Sequence, residues 1–192
     1  MRHEIRIAGF GGQGVIKAAF LIATAAGLGE NKEIVQTQSY GPEARGGACR
    51  SDIIISDKYI EYLKLLHIDV FMVMSQPAMN QYGKELDLKN GIIIADETLV
   101  KEIPAGAERV CRIMATDIAE KEFGAPLFAN IIMLGALSAV TGLVQTYSLQ
   151  DALVKNVPIK TLEKNLKALE RGYQLGNEAS QGSPLRYNPI PK

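Results

Sequence analysis

Two stretches of this chain, DVFMVM from Asp69 to Met74 and IIIA from Ile92 to Ala95, carry no alternation of apolar and polar residues. A strand that is apolar on both sides has to be covered on both sides. That is the situation of an inner strand in an α/β sheet, and not of a sheet with one wet face. His3 to Ala8, Glu33 to Gln38, Ser51 to Ser56 and Arg109 to Met114 supply further strand-like segments. Between them lie helical stretches, beginning with the alanine-rich run from Val15 to Ala26. The alternation predicts an α/β fold of three layers, a mostly parallel sheet with helices on both faces. Part of the sheet is expected to be antiparallel, because only a short loop separates Gln38 from Ser51 and a parallel crossover needs a longer connection.

The run LFANIIMLGALSAVTGLV, Leu127 to Val144, is apolar nearly all round and close to the length of a membrane span. Asn130, Gly135, Ser138, Thr141 and Gly142 interrupt it and no basic cluster flanks it, so it reads as a helix buried in the protein or in a subunit interface. The helix from Val15 carries Lys17 and is too short to span a bilayer. Leu162, Leu166, Leu169 and Tyr173 recur at helical spacing, an amphipathic surface helix for which Gly176 is the expected stop. The remainder, with three prolines and no period, reads as a tail. One domain over residues 1–176 and an extended tail over 177–192 are therefore expected. A composition 47% hydrophobic and 22% charged suits one ordinary globular domain of 192 residues. The 21 basic and 21 acidic residues balance, which excludes a global positive field for nucleic acid or anionic lipid. The N-terminus lacks the apolar run of a secretory signal, so a cytoplasmic location is expected. Two cysteines, Cys49 and Cys111, cannot build an iron–sulfur cluster or a four-cysteine zinc site from this chain alone. Both are expected as buried thiols. His3 and His67 lack companions at ligand spacing.

Two glycine-rich stretches carry the functional signal. In RIAGFGGQGV, Gly9, Gly11 and Gly14 fit GxGxxG between a strand and a helix, where unpaired N–H groups can bind a phosphate. A dinucleotide site would want an acidic residue at the end of the second strand, where Gln36, Thr37, Gln38 and Ser39 stand. A P-loop would need Lys and Ser or Thr where Val15 and Ile16 stand. A turn serving only close helix–sheet packing is the competing reading. The second stretch, QSYGPEARGGACRSD, combines Gly41, Gly46 and Gly47 with Pro42, Glu43, Arg45 and Arg50. It is either a surface turn with solvated charges or a shaped loop presenting Arg45 as a fork for a phosphate, a carboxylate or an acidic partner residue. Such a charge-assisted bond is worth about 1.5–3 kcal/mol. If the first and second strands are parallel neighbours, both loops leave the same carboxyl edge and face one crevice.

GFGGQGV followed by SYGPEARGGACRSDIIIS resembles the gamma subunit, or gamma domain, of the 2-oxoacid:ferredoxin oxidoreductases. The resemblance extends through DVFMVMSQPAMNQY to FANIIMLGAL. It implies a Rossmann-like α/β subunit of an enzyme that oxidatively decarboxylates 2-oxoacids to acyl-CoA, with no chemistry of its own. A short separate chain is most similar to the 2-oxoglutarate type. The resemblance places thiamine diphosphate and magnesium on alpha and beta partner subunits, and iron–sulfur clusters on beta and delta partners that pass electrons to ferredoxin. It associates the gamma part with coenzyme A, with binding roles carried onto Gly11, Gly12, Gln13 and Gly14, onto Ser39, Tyr40, Gly41, Glu43, Arg45, Gly46 and Gly47, and onto Asn130. A free-standing dinucleotide-binding dehydrogenase and a purely structural assembly subunit are the alternatives. Without partners, the apolar helix from Val15 and the run from Leu127 to Val144 are expected to meet another copy in a homodimer.

Overall fold

The computed structural model describes residues 1–40 and 47–181, Tyr40 by its backbone alone. In chain order the elements are β1 (Arg2–Phe10), α1 (Val15–Thr24), β2 (Glu33–Tyr40), β3 (Ala48–Ser56), β4 (Val70–Val73), α2 (Gln76–Tyr82), β5 (Ile92–Asp96), β6 (Val110–Ile113), α3 (Ala115–Phe123), α4 (Ala129–Thr141), α5 (Thr146–Asn156) and α6 (Ile159–Ser180). The six strands form one sheet in the order β2-β3-β1-β4-β5-β6. Strands β1, β4, β5 and β6 are parallel, whereas β3 runs antiparallel to both β1 and β2.

The condition that the first two strands be parallel neighbours is not met. They are not neighbours, because the short connection after β2 permits only a hairpin, and β3 fills the place beside β1. Two antiparallel steps restore the direction, however, so β2 points the same way as β1 and both glycine-rich loops leave the same edge.

The inner strands are apolar on both sides because both sides are covered. Ile5, Ile7, Met72, Ile92 and Ile94 enter the larger core, shared with residues of α1, α3, α4, α5 and α6. Ala8, Phe71, Val73, Ile93 and Ala95 enter a smaller one with Ala78, Met79 and Tyr82 of α2. The two helical layers are thus unequal, the second being one short helix and extended segments. One of these, between β3 and β4, is tied to β1 by the buried carboxylate of Glu4, which accepts from Arg2 Nε and from the backbone N–H groups of Leu66 and His67.

The run expected as one long apolar helix is divided. A single 3₁₀ turn, Pro126–Phe128, precedes α4, and Gly142 ends α4 in the left-handed region with φ 63°. Among the described residues no helix is long and apolar enough to cross a membrane. Helix α4 is buried almost throughout because α6 of the same chain lies across it. The crossing is close enough that a Cβ on Gly135 would overlap the Leu169 carbonyl, one on Gly172 the Ile132 carbonyl, and one on Gly176 the Ala136 backbone. Gly176 is therefore not a stop: α6 runs on through it to Ser180, because the glycine is needed where two backbones touch. The apolar surface of α4 expected to seek another chain is used within this one, and of α1 only Phe20 is a large exposed apolar residue.

This contact gives a direct test. Gly172→Ala should lower stability by about 1–3 kcal/mol through overpacking against backbone that cannot move aside. Gly11→Ala, whose Cβ would meet nothing within 4 Å, should stay within about 0.5 kcal/mol of the wild type. Urea denaturation midpoints compare the two.

Candidate functional site

Strand β1 ends at Phe10, and the chain turns into α1 through Gly11, Gly12, Gln13 and Gly14. Gly12 and Gly14 have φ of 99° and 75°, which residues with a side chain rarely adopt. Gly14 caps α1 without a side-chain cap, and among the described residues no side chain is seen accepting from the N–H groups of its first turn. Those donors and the helix dipole suit an anion. Added Cβ atoms at Gly11 or Gly12 would meet nothing within 4 Å, so the backbone there can be approached closely.

Gln13, one of the residues expected to bind a ligand, has its amide engaged inside the chain. Its Oε1 accepts from Phe10 N at 2.7 Å and its Nε2 donates to Met74 O at 2.8 Å, joining the ends of β1 and β4. Gly9 serves this contact, since a Cβ there would strike Gln13 Oε1 and Val15. Part of the motif is thus packing. Gly14 and Asn130, 116 residues apart, are brought together: Asn130 Nδ2 donates to Gly14 O at 3.2 Å from the first turn of α4. The same amide nitrogen stands where a Cβ on residue 14 would be. Asn130 is buried, and its Oδ1 has no hydrogen-bond partner among the described residues. A buried acceptor in that state costs about 1–3 kcal/mol.

Of the second loop, Ser39 is exposed at the end of β2, and the backbone of Tyr40 pairs with Cys49. Gly41, Glu43, Arg45 and Gly46 lie outside the described residues. Gly47 reaches the first loop, its carbonyl accepting from Gly11 N at 3.4 Å. The first glycine stretch and Gly47, where the described part of the second resumes, are thus adjacent at the carboxyl edge of β1.

A charged cluster beneath this edge was missed by the motif reading. Arg6 of β1 stands directly opposite Asp52 of β3. Its Nε and Nη2 donate to the two carboxylate oxygens at 2.7 and 2.9 Å, and its Nη1 donates to Glu85 at 2.7 Å. Burial works against the charge of Arg6, but hydrogen bonds to Asp52 and Glu85 outweigh it and raise its pKa. The hydrogen bond from Arg6 in turn holds Glu85 below its ordinary value. Arg6 and Arg50 both lie over the ring of Tyr82, whose hydroxyl donates to Ala48 O at 3.2 Å. The available signal was an arginine within an apolar strand and an aspartate within SDIII, but their meeting depends on a register that the sequence does not reveal.

Cys49 and Cys111 are buried and not disulfide-bonded. Burial raises the pKa of both thiols, that of Cys111 to about 12, so neither is poised as a nucleophile. Among the described residues no group of three His, Cys, Asp or Glu side chains could hold a metal ion.

The glycine turn opening α1 on a mixed six-stranded sheet, with an asparagine from a distant helix against it, can be set beside known proteins. Residues 4–175 match the model for pyruvate ferredoxin/flavodoxin oxidoreductases, and the chain belongs to that family. It is 44% identical over 180 residues to the 2-oxoglutarate synthase subunit KorC of Methanocaldococcus jannaschii, covering 93% of this chain and 96% of that one. The crystal structure of the gamma subunit of a keto/oxoacid ferredoxin oxidoreductase from Geobacter sulfurreducens matches it with a TM-score of 0.85 and 35% identity, over 93% of this chain and 98% of that one. At 24% identity, the 2-oxoglutarate:ferredoxin oxidoreductase of Magnetococcus marinus shares the fold, with a TM-score of 0.84 over 97% of this chain and 33% of that one.

The charged cluster yields a prediction. Asp52→Asn, which takes an ionised partner from a buried arginine, should cost about 3–5 kcal/mol. Glu85→Gln should cost under about 1 kcal/mol, because the Glu85 side chain is 55% exposed. The depressed pKa of Glu85 contributes stability that is present above the ordinary carboxylate value and is lost as pH falls through the lowered one. Glu85→Gln should therefore flatten the acid limb of stability against pH, measured by urea titrations at successive pH values.

Proposed function

We propose that this chain is the gamma subunit of a multisubunit 2-oxoglutarate:ferredoxin oxidoreductase, serving assembly and coenzyme A binding while its partners carry the chemistry. The observation that carries the reading is the convergence of the α1 N-terminus, the two open glycines and the Asn130 oxygen, without a partner among the described residues, with Gly47 on one sheet edge. The KorC relative is a subunit of 2-oxoglutarate synthase, and the Magnetococcus enzyme was solved with 2-oxoglutarate, coenzyme A and succinyl-CoA bound.

In this reading the backbone N–H groups at the start of α1, beyond those of Gly11 and Gln13 that are engaged by Gly47 O and Phe10 O, meet a phosphate of coenzyme A, and binding roles fall to Ser39, Tyr40, Gly41, Glu43, Arg45, Gly46 and Gly47 of the second loop. Asn130 keeps the turn in place through Gly14 O, and its free acceptor suits an N–H or O–H of the ligand. Oxidative decarboxylation makes an acyl unit and two electrons. Thiamine diphosphate, magnesium and iron–sulfur clusters on alpha, beta and delta subunits would handle these, and ferredoxin would accept the electrons. The assembly would work in the cytoplasm. A homodimer of the isolated chain would use exposed apolar residues such as Leu28, Tyr147 and Ile159, and light scattering over a range of concentrations tests it. The purely structural alternative gains support from Gln13 and Gly9, which serve packing.

Two measurements test the proposal. The purified chain given 2-oxoglutarate, coenzyme A and a viologen acceptor should show no turnover, and the complex with its partner subunits should be active; robust turnover by the chain alone would refute the subunit reading. In the complex, Arg45→Ala should raise the apparent KM for coenzyme A about tenfold or more, as loss of a charge-assisted hydrogen bond implies, with little change in Tm. A fall in Tm with an unchanged KM would assign Arg45 to the framework.

A further inference from the structure

On the α2 side of the sheet two arginines face two carboxylates, and the sharing is unequal. Arg6 takes both oxygens of Asp52 and one of Glu85 at 2.7 to 2.9 Å. Arg50 reaches Glu85 Oε1 only at 3.4 Å, and its Nε stands 3.8 Å from Asp52 Oδ2, beyond hydrogen-bond distance. A guanidinium has five N–H donors, and among the described residues that of Arg50 makes a single long contact. Its side chain is 28% exposed, yet it is held in place. The guanidinium lies 5.1 Å from the centre of the Tyr82 ring, and the Tyr82 hydroxyl is tied to Ala48 O at the start of β3.

The position is as informative as the coordination. Arg50 pairs with Ala8 of β1 and Ser39 of β2, close to the Phe10–Ala48 pair from which the glycine turn departs. Arg50 stacks with Tyr82 on the α2 face, whereas α1 packs into the core on the other face. The guanidinium and the α1 N-terminus therefore flank one edge from opposite sides of the sheet.

We propose that Arg50 is a phosphate-binding residue for coenzyme A, closing its guanidinium fork on one phosphate of the ligand while the glycine turn receives another part from across the edge. This rests on the reading above that the chain contacts coenzyme A. Arg6, Arg50, Asp52 and Glu85 sum to zero charge, and Arg6 alone keeps both carboxylates occupied. Arg50 can therefore turn to an incoming anion by giving up the 3.4 Å hydrogen bond to Glu85 and the 3.8 Å ion pair with Asp52, both carboxylates keeping Arg6. Planar, two-point recognition of phosphate is what an arginine offers and a lysine does not. Coenzyme A carries such groups in two places, the diphosphate and the 3′-phosphate that dephospho-CoA lacks.

The test uses the assembled complex and titrates coenzyme A and dephospho-CoA against wild type, Arg50→Met, which keeps an unbranched stem on Tyr82, and Arg50→Lys. Arg50→Met should weaken coenzyme A binding tenfold or more with Tm little changed, and Arg50→Lys should lie between it and the wild type. A loss confined to coenzyme A assigns the 3′-phosphate, and an equal loss with both ligands assigns the diphosphate. Should Arg50→Met not fold, Arg50→Lys alone decides, with at least a threefold loss expected. Coenzyme A binding within twofold of wild type in the folded Arg50 variants overturns the assignment. If Arg45→Ala still weakens binding in that case, the coenzyme A reading survives without Arg50; if neither position matters, both readings fall.

Discussion

The fork of Arg6 on Asp52, buried in the β1–β3 ladder, is the interaction on which the geometry of the carboxyl edge depends. It joins two antiparallel strands at one register, and a slip of one residue would turn Ile53 and Ile55 out of the larger core. With that register set, Phe10 faces Ala48 and Gly11 lies within reach of the Gly47 carbonyl. The same register puts Arg50 beside Tyr82. An ion pair buried among apolar strands adds little net stability, because desolvation offsets much of its attraction, but it penalises every alternative in which one charge loses its partner.

On the opposite face the controlling feature is the absence of side chains. Gly135 on α4 and Gly172 and Gly176 on α6 let two helix backbones touch, so that α6 covers a helix that is apolar almost all round. Each glycine weakens an isolated helix by about 1 kcal/mol relative to alanine, yet the closer packing requires them. This covering leaves the N-terminus of α4 in a fixed place, and with it Asn130 against Gly14. The small-residue contact inside the helical layer therefore shapes the glycine turn at the sheet edge.

Functionally, the family places the chain among oxidoreductase subunits, and on the proposed reading its own residues serve binding and assembly. Its two thiols are held protonated by burial, and the described residues offer no metal constellation. What the chain presents is an edge: backbone donors at the start of α1, open glycines, and a loosely partnered arginine on the far face. On the proposed reading such an edge would recognise an anionic ligand by position.

The α/β class, the covered inner strands, the hairpin between β2 and β3 and the glycine turn between β1 and α1 were legible in the sequence. They follow from local properties: apolar runs without alternation, connection length, and the conformations that glycine alone tolerates. The stop assigned to Gly176, the outward role given to α4 and the adjacency of β1 and β2 were not legible. A glycine that ends a helix and one that admits a second helix look alike in one dimension, and a strand's neighbours depend on which pairing buries most surface. Gln13 shows the same limit, for its place in the motif suggested a ligand while the fold gives its amide to Phe10 and Met74. The sequence by itself determined the kinds of element and where the backbone could be bare. Only the tertiary structure decided that Arg6 would take both carboxylates and leave Arg50 loosely held, because that division depends on distances across strands far apart in the chain.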